Sequence, residues 1–231
     1  MIFVLIHSPS VGPATWRPVA AELRRGGHQV LLPDLRPVAA GPAPYRARVL
    51  DAVLGALAAA GVVEGDAPEL VMVPHSNAGH FVPLIASSLP GRVRGQVFVD
   101  AALPPPDGET ALAEEDFLPF LEQRARGGIL PPWTQWWHEH DVAPLFAGVG
   151  NRAEVEAEQP RLPLDYYTER VPVPSEWVDV PGAYLWFGPP YDVEAAEAAR
   201  RGWPVRRVPG LHLHLLVDPV AVAAEIAGLT P

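Results

Sequence analysis

Short apolar runs that stop at turn residues recur along this chain, and each is followed by a helix-period stretch or a turn. The first four are "IFVLIH" (Ile2–His7), "HQVLLPD" (His28–Asp34), "LVMVPH" (Leu70–His75) and "GQVFVD" (Gly95–Asp100). Each is short and apolar almost throughout, as a strand buried on both faces is. Between them lie helical patterns. One follows Thr15, carries Val19, Ala20 and Leu23, and stops at Gly26-Gly27; a second spans 45–60 with Val49, Val53, Leu54 and Leu57; a third spans 78–89. This alternation predicts an α/β architecture, a mostly parallel sheet with helices on both faces.

The rhythm breaks after Asp100. Residues 101–180 offer helical segments at 112–126, 133–140 and 152–159, joined by proline-rich turns, and no evident strand. It resumes with the run "AYLWFG" (Ala183–Gly188), a helix near 193–201, the run "PVRRVPG" (Pro204–Gly210) and a last helix over 219–229. Residues 1–100 and 181–231 are therefore expected to form one core, with 101–180 inserted as a small helical cap.

Composition narrows the chemistry. A net charge of −10 argues against nucleic acid or an anionic membrane as partner. The absence of cysteine excludes a disulfide scaffold, a thiol nucleophile and a thiolate metal site. All 17 basic residues are arginine, so lysine chemistry is excluded too. Met1 runs directly into an apolar strand, and no apolar run approaches the roughly 20 residues of a membrane span. The expectation is a soluble, cytoplasmic protein.

In an open parallel sheet, ligands bind beyond the carboxyl ends of the strands. The residues there are Ser8-Pro9-Ser10, Asp34, His75-Ser76-Asn77, Asp100, Pro189-Pro190-Tyr191-Asp192 and His212 to His214. In "VMVPHSNAGH" (Val71–His80) a strand turns sharply at Ser76 and enters a helix. Such a turn lifts the hydroxyl above the sheet and puts the Asn77 N–H at a helix N-terminus, where backbone donors are unpaired and anions are favoured. A serine used as a nucleophile needs a base, and the base an orienting acid. Capping the helix is the other use of a serine there.

The stretches "VLIHSPSVGPATWRPVAAEL", "VPHSNAGHFVP", "VFVDAALPPPDGE" and "VPGLHLHLLVDPVAVA" carry a resemblance. Over nearly its whole length the chain resembles the α/β-hydrolase fold superfamily, and most of all its small esterase and hydroxynitrile-lyase type with a modest helical cap. The family's Gly-x-Ser-x-Gly elbow stands here as Pro74-His75-Ser76-Asn77-Ala78, with Gly79 one place later. The resemblance implies Ser76 as nucleophile and His212 as base, with His214 its rival. The implied acid lies in the loop after "AYLWFG", where the count falls near Pro190. Two candidates remain, Asp192 two residues on and Asp100 at the end of the preceding strand. The implied oxyanion donors are the Asn77 N–H and the N–H of residue 9, which is proline and has none. A hydroxyl of Ser8 or Ser10, a shifted Ser10 N–H, or a reaction without an ordinary oxyanion are the open replacements. Plant hydroxynitrile lyases of this fold place a lysine just after the histidine; Leu213 stands there, so that chemistry is not expected.

Trp133, Trp136 and Trp137, at i, i+3 and i+4, are expected to share a helix face. They either wall an apolar pocket or pack the cap onto the core, and Trp16 and Phe81 are candidates for the same cavity. His138, His140 and Asp141 sit at spacings that do not converge on an ion, so no metal is expected. His80, one turn past Ser76, is expected to face packing. The leading expectation is a cofactor-free, serine-dependent hydrolase of a small, largely apolar ester, lactone or related acyl compound. The alternatives are a lyase, cyclase or isomerase using His212 as general base, and a non-catalytic small-molecule binder.

Overall fold

The computed structural model describes residues 1–62 and 68–230. The first half carries β1 (Ile2–Ile6), α1 (Arg17–Arg25), β2 (Gln29–Leu31), α2 (Tyr45–Ala59), β3 (Leu70–Ser76), α3 (Val82–Ser87) and β4 (Val93–Ala101). Next come β5 (Gly108–Ala111), α4 (Leu118–Arg124), α5 (Glu139–Val142), α6 (Arg152–Ala157) and β6 (Arg170–Val173). The chain ends with β7 (Gly182–Trp186), α7 (Asp192–Arg200), β8 (Val205–Arg207), α8 (His214–Val217) and α9 (Pro219–Leu229).

Six strands form one sheet in the order β2-β1-β3-β4-β7-β8, and every pairing in it is parallel. Successive side chains of a strand face opposite sides, and here each side meets its own core. Ile2, Val4 and Ile6 of β1 join one cluster, Phe3 and Leu5 the other. β3 divides likewise, Leu70 and Met72 against Val71 and Val73. Burial on both faces is why these segments read as unbroken apolar runs; each such side chain contributes about 1.5–3 kcal/mol when fully buried. α2 and α3 cover the first face through Val49, Val53, Leu57, Val82 and Ile85. α1 and α9 cover the second through Val19, Ala20, Leu23, Val222, Ala223 and Ile226.

The stretch between β4 and β7 departs from the all-helical expectation. β5 and β6 pair antiparallel, Gly108 opposite Val173 and Ala111 opposite Arg170. β6 alternates, with Arg170 and Pro172 outward and Val171 and Val173 buried. Four residues are too few for that period to stand out, and the partner strand lies at the other end of the insert. The helix expected over 112–126 begins only at Leu118, with Pro119 in its first turn. The segment over 133–140 divides into a 3-10 turn at Trp133–Trp136 and the short α5. Among the described residues, no helix is long and apolar enough to cross a membrane.

Candidate active site

β3 ends on Ser76, whose backbone sits at φ 60°, ψ −135°. That region is costly for a residue with a Cβ, about 1–3 kcal/mol. A 3-10 turn, Asn77–Phe81, follows and leads into α3. A Cβ at Gly79 would stand 1.9 Å from the Ala102 carbonyl oxygen, so glycine is what lets this turn lie against the end of β4. The Asn77 side chain is tied down at both ends. Its amide donates to the Leu112 carbonyl at 2.7 Å, and its oxygen accepts from the Tyr166 hydroxyl at 2.5 Å. Its backbone N–H, at the start of the turn, has no partner within the helix.

The neighbouring strand supplies the carboxylate that meets His212. β3 and β4 pair His75 with Val99 and then Ser76 with Ala101, stepping over Asp100. Asp100 is thus a bulge residue, at φ 43°, and a bulge re-aims its side chain. The carboxylate is fully buried and accepts two hydrogen bonds, from His212 Nδ1–H at 2.7 Å and from the Phe187 N–H at 3.1 Å. Tyr184 on β7 clamps the bulge. Its hydroxyl donates to the Ala101 carbonyl at 2.6 Å and accepts from the Ala101 N–H at 3.0 Å. Asp192 is corrected here as the partner of His212. It is the exposed first residue of α7, and among the described residues the carboxylate on His212 is that of Asp100.

His212 packs against three rings. His75 stacks on it with centroids 4.5 Å apart at 22°, and His75 Nε2–H donates to the His212 carbonyl at 3.0 Å. Burial holds the His75 imidazole well below the usual histidine range, so it packs there as a neutral plate. Tyr191 also stacks on His212, at 5.3 Å and 29°, and its hydroxyl lies 3.3 Å from Ser76 Oγ. Trp133 stands 6.2 Å away. With Nδ1–H committed to Asp100, Nε2 of a neutral His212 carries the lone pair. The rival His214 opens α8 and packs edge-on against Phe187 at 5.5 Å.

The loop after β1 is closed on itself. His7 donates from Nδ1 to the Ser8 carbonyl at 2.8 Å and accepts at Nε2 from the Leu35 N–H at 3.0 Å; burial lowers its pKa to about 4. The Ser10 N–H donates to Ser8 Oγ at 3.3 Å, and Ser8 Oγ–H to Ser10 Oγ at 3.3 Å. Ser10 Oγ also shares a hydrogen bond with the Tyr167 hydroxyl at 2.5 Å. The groups expected to replace the missing Pro9 N–H are therefore bonded to one another.

The three tryptophans do not share one face. The backbone is extended at Trp137, which turns its ring away from the other two. Trp137 lies against Phe120 at 4.7 Å, Trp136 is buried against Tyr167 at 5.6 Å, and only Trp133 reaches His212. Trp16 is fully buried with its ring edge-on to His75 at 5.9 Å, and Phe81 is buried near Tyr166. A cavity of about 810 Å³ opens beside the elbow, lined by His80, Thr110, Glu114, Glu194 and Arg201 among others; Ser76 and His212 are not in its wall. His80 Nδ1 lies 2.9 Å from Thr110 Oγ1, and burial lowers the His80 pKa to about 4. His138 and His140 stack on each other; among the described residues no three ligating side chains are grouped to hold a metal ion.

No family model matches the sequence. An alignment of 125 residues, covering 50% of the chain, is 33% identical to Esterase PIR7B from Oryza sativa subsp. japonica, and it spans 44% of that protein. Solved structures extend the likeness to the whole chain. An extracellular alpha/beta-hydrolase from a Paenibacillus species superposes with a TM-score of 0.74 at 19% identity, covering 100% of this chain and 99% of that one. Polyneuridine aldehyde esterase, in its H244A form, gives 0.73 at 16% identity over 100% and 99%. The chain adopts the α/β-hydrolase fold. Within that fold, Tyr191 touches both Ser76 and His212, His75 stacks on His212 and Tyr184 holds Ala101, and none of the three was singled out individually from the sequence. Tyr191 had a signal, since it lies in a strand-end loop. Tyr184 had none, because a tyrosine inside an apolar run reads as core.

Proposed function

We propose that the protein is a serine-dependent hydrolase of small, largely apolar carboxylic esters or related acyl compounds. The observation that carries this reading is the buried Asp100 carboxylate 2.7 Å from His212 Nδ1, on the strand paired with the one that ends at Ser76, a serine held at positive φ whose hydroxyl meets the same Tyr191 that stacks on His212. Ser76 Oγ attacks the acyl carbon, and the carbonyl π pair moves onto its oxygen. The hydroxyl proton passes to His212 Nε2, and Asp100 stabilises the imidazolium. The Asn77 N–H donates to the oxyanion. Collapse breaks the bond to the leaving alkoxide, which takes the proton from His212. Water then attacks the acyl-serine with His212 as base, releasing the acid and restoring Ser76. The rings of Trp133 and Tyr191 against His212 support an apolar acyl or alkyl group. The rice relative's name, an esterase, supports the ester class.

A second reading, a non-hydrolytic enzyme with His212 as general base, draws on the missing Pro9 donor and on the Ser76 hydroxyl resting against Tyr191. Turnover of p-nitrophenyl acetate by the wild type and by Ser76→Ala separates the two. Hydrolysis predicts burst kinetics in the wild type and a loss of about 10⁴-fold or more in the variant. Comparable rates in both proteins contradict it.

A further inference from the structure

Acyl transfer through Ser76 builds negative charge on one substrate oxygen, and the fold leaves one of its two usual donors out. Pro9 has no N–H. The nearby Ser8 and Ser10 groups and the Tyr167 hydroxyl are bonded among themselves. One further hydroxyl stands at the reacting atom, that of Tyr191, 3.3 Å from Ser76 Oγ.

We propose that the Tyr191 hydroxyl is a catalytic donor to the oxyanion, in place of the absent Pro9 N–H. This rests on the acyl-transfer reading above. The oxyanion forms two bonds from Ser76 Oγ, so a hydroxyl already resting on Oγ needs only a small shift to reach a donor distance of about 2.7–3.1 Å. The contact at rest, 3.3 Å, is as long as those between Ser8 and Ser10; what sets Tyr191 apart is that its hydroxyl already lies on Ser76 Oγ. Either oxygen can carry the shared proton at rest; once Ser76 turns its own proton to His212, the phenol is the donor that remains. Its ring is fixed by stacking on His212 at 5.3 Å, so the hydroxyl is held in place before substrate arrives. Burial raises the phenol pKa, keeping it protonated and a donor. No covalent step is added. Electrons and protons move as in the acyl transfer written above, and Tyr191 keeps its proton throughout.

Tyr191→Phe removes the hydroxyl and keeps the ring. Wild type, Tyr191→Phe and Ser76→Ala are compared in p-nitrophenyl acetate turnover, fluorophosphonate labelling, and inhibition by a trifluoromethyl ketone, which forms a tetrahedral adduct on serine. The expected result is a kcat lowered about 10²-fold in Tyr191→Phe, with KM little changed and ketone affinity weakened by a similar factor. A loss under tenfold, or a ketone that inhibits the variant as tightly as the wild type, overturns the assignment. If the folded wild type neither labels at Ser76 nor turns over the ester, the acyl-transfer reading itself fails and the assignment falls with it. A labelled, active wild type paired with an equally active Tyr191→Phe overturns the tyrosine alone.

Discussion

β4 and β7 lie side by side in the sheet, and their carboxyl ends are built in opposite ways. β4 ends in a bulge that buries Asp100, with His212 and the Phe187 N–H on its two oxygens and Tyr184 gripping the next residue. β7 runs out through Gly188-Pro189-Pro190 to Tyr191 and leaves Asp192 exposed at the head of α7. One end gives the site a charge, the other an aromatic ring and a hydroxyl. A buried carboxylate persists only when it is paired and hydrogen-bonded, and at β4 the fold supplies both. What holds a carboxylate in place thus decides which one meets His212, more than its count along a loop.

The sharpest way to break this contrast is to neutralise each acid in turn. Asp100→Asn is expected to lower kcat by about 10³–10⁴-fold, because the amide no longer fixes the His212 tautomer. A small loss there with a large one in Asp192→Asn would reverse the account. Acid tests the same buried strand ends without mutation. His7 and His80 have pKa values of about 4 in the fold against 6.5 when unfolded, and His75 is also lowered. Between those limits the unfolded chain binds more protons than the native one. Stability is therefore full above about pH 6.5 and falls as the pH drops toward 4, by about 3 kcal/mol for the fully buried His7, with His80, half-buried on the cavity wall, adding less in the same direction. Urea unfolding at pH 7 and pH 5 should show the lower midpoint at pH 5; equal midpoints would contradict neutral, buried imidazoles. Tyr184→Phe removes the clamp on the bulge and leaves the Ala101 N–H and carbonyl without that partner. It should cost about 1–3 kcal/mol of stability and lower kcat more than it moves KM. Unchanged melting and kinetics would show that the bulge holds Asp100 unaided. Asp192→Asn is the smallest expected effect, with kcat within about twofold of wild type, since its carboxylate is solvated.

How far the sequence could be read follows from the same physics. The parallel sheet was legible because β1 and β3 are buried on both sides, which leaves unbroken apolar runs such as Phe3-Val4-Leu5-Ile6. The turn at Ser76 was legible because it falls where an apolar run meets a helical pattern, and Gly79 marks the close approach to Ala102. The choice between Asp100 and Asp192 was not. It depends on a one-residue slip between β3 and β4, a property of two strands in register and not of either alone. The insert was read poorly because β5 and β6 are four residues each and its tryptophans sit on a 3-10 turn that ends in extended chain. Helical spacing therefore misplaced Trp137. Tyr191 was legible as a residue of a strand-end loop, but its contact with Ser76 was not, because that arises from the path of the loop after β7.

Ester hydrolysis by this site requires the Ser76 oxygen to be an activated nucleophile. Treatment of the native protein with a fluorophosphonate, followed by digestion and mass spectrometry of the peptide carrying Ser76, reads this directly. The prediction is a phosphonyl adduct on Ser76, formed far more slowly in Asp100→Asn. A folded protein whose Ser76 stays unmodified under conditions that label a known serine hydrolase to completion would contradict it.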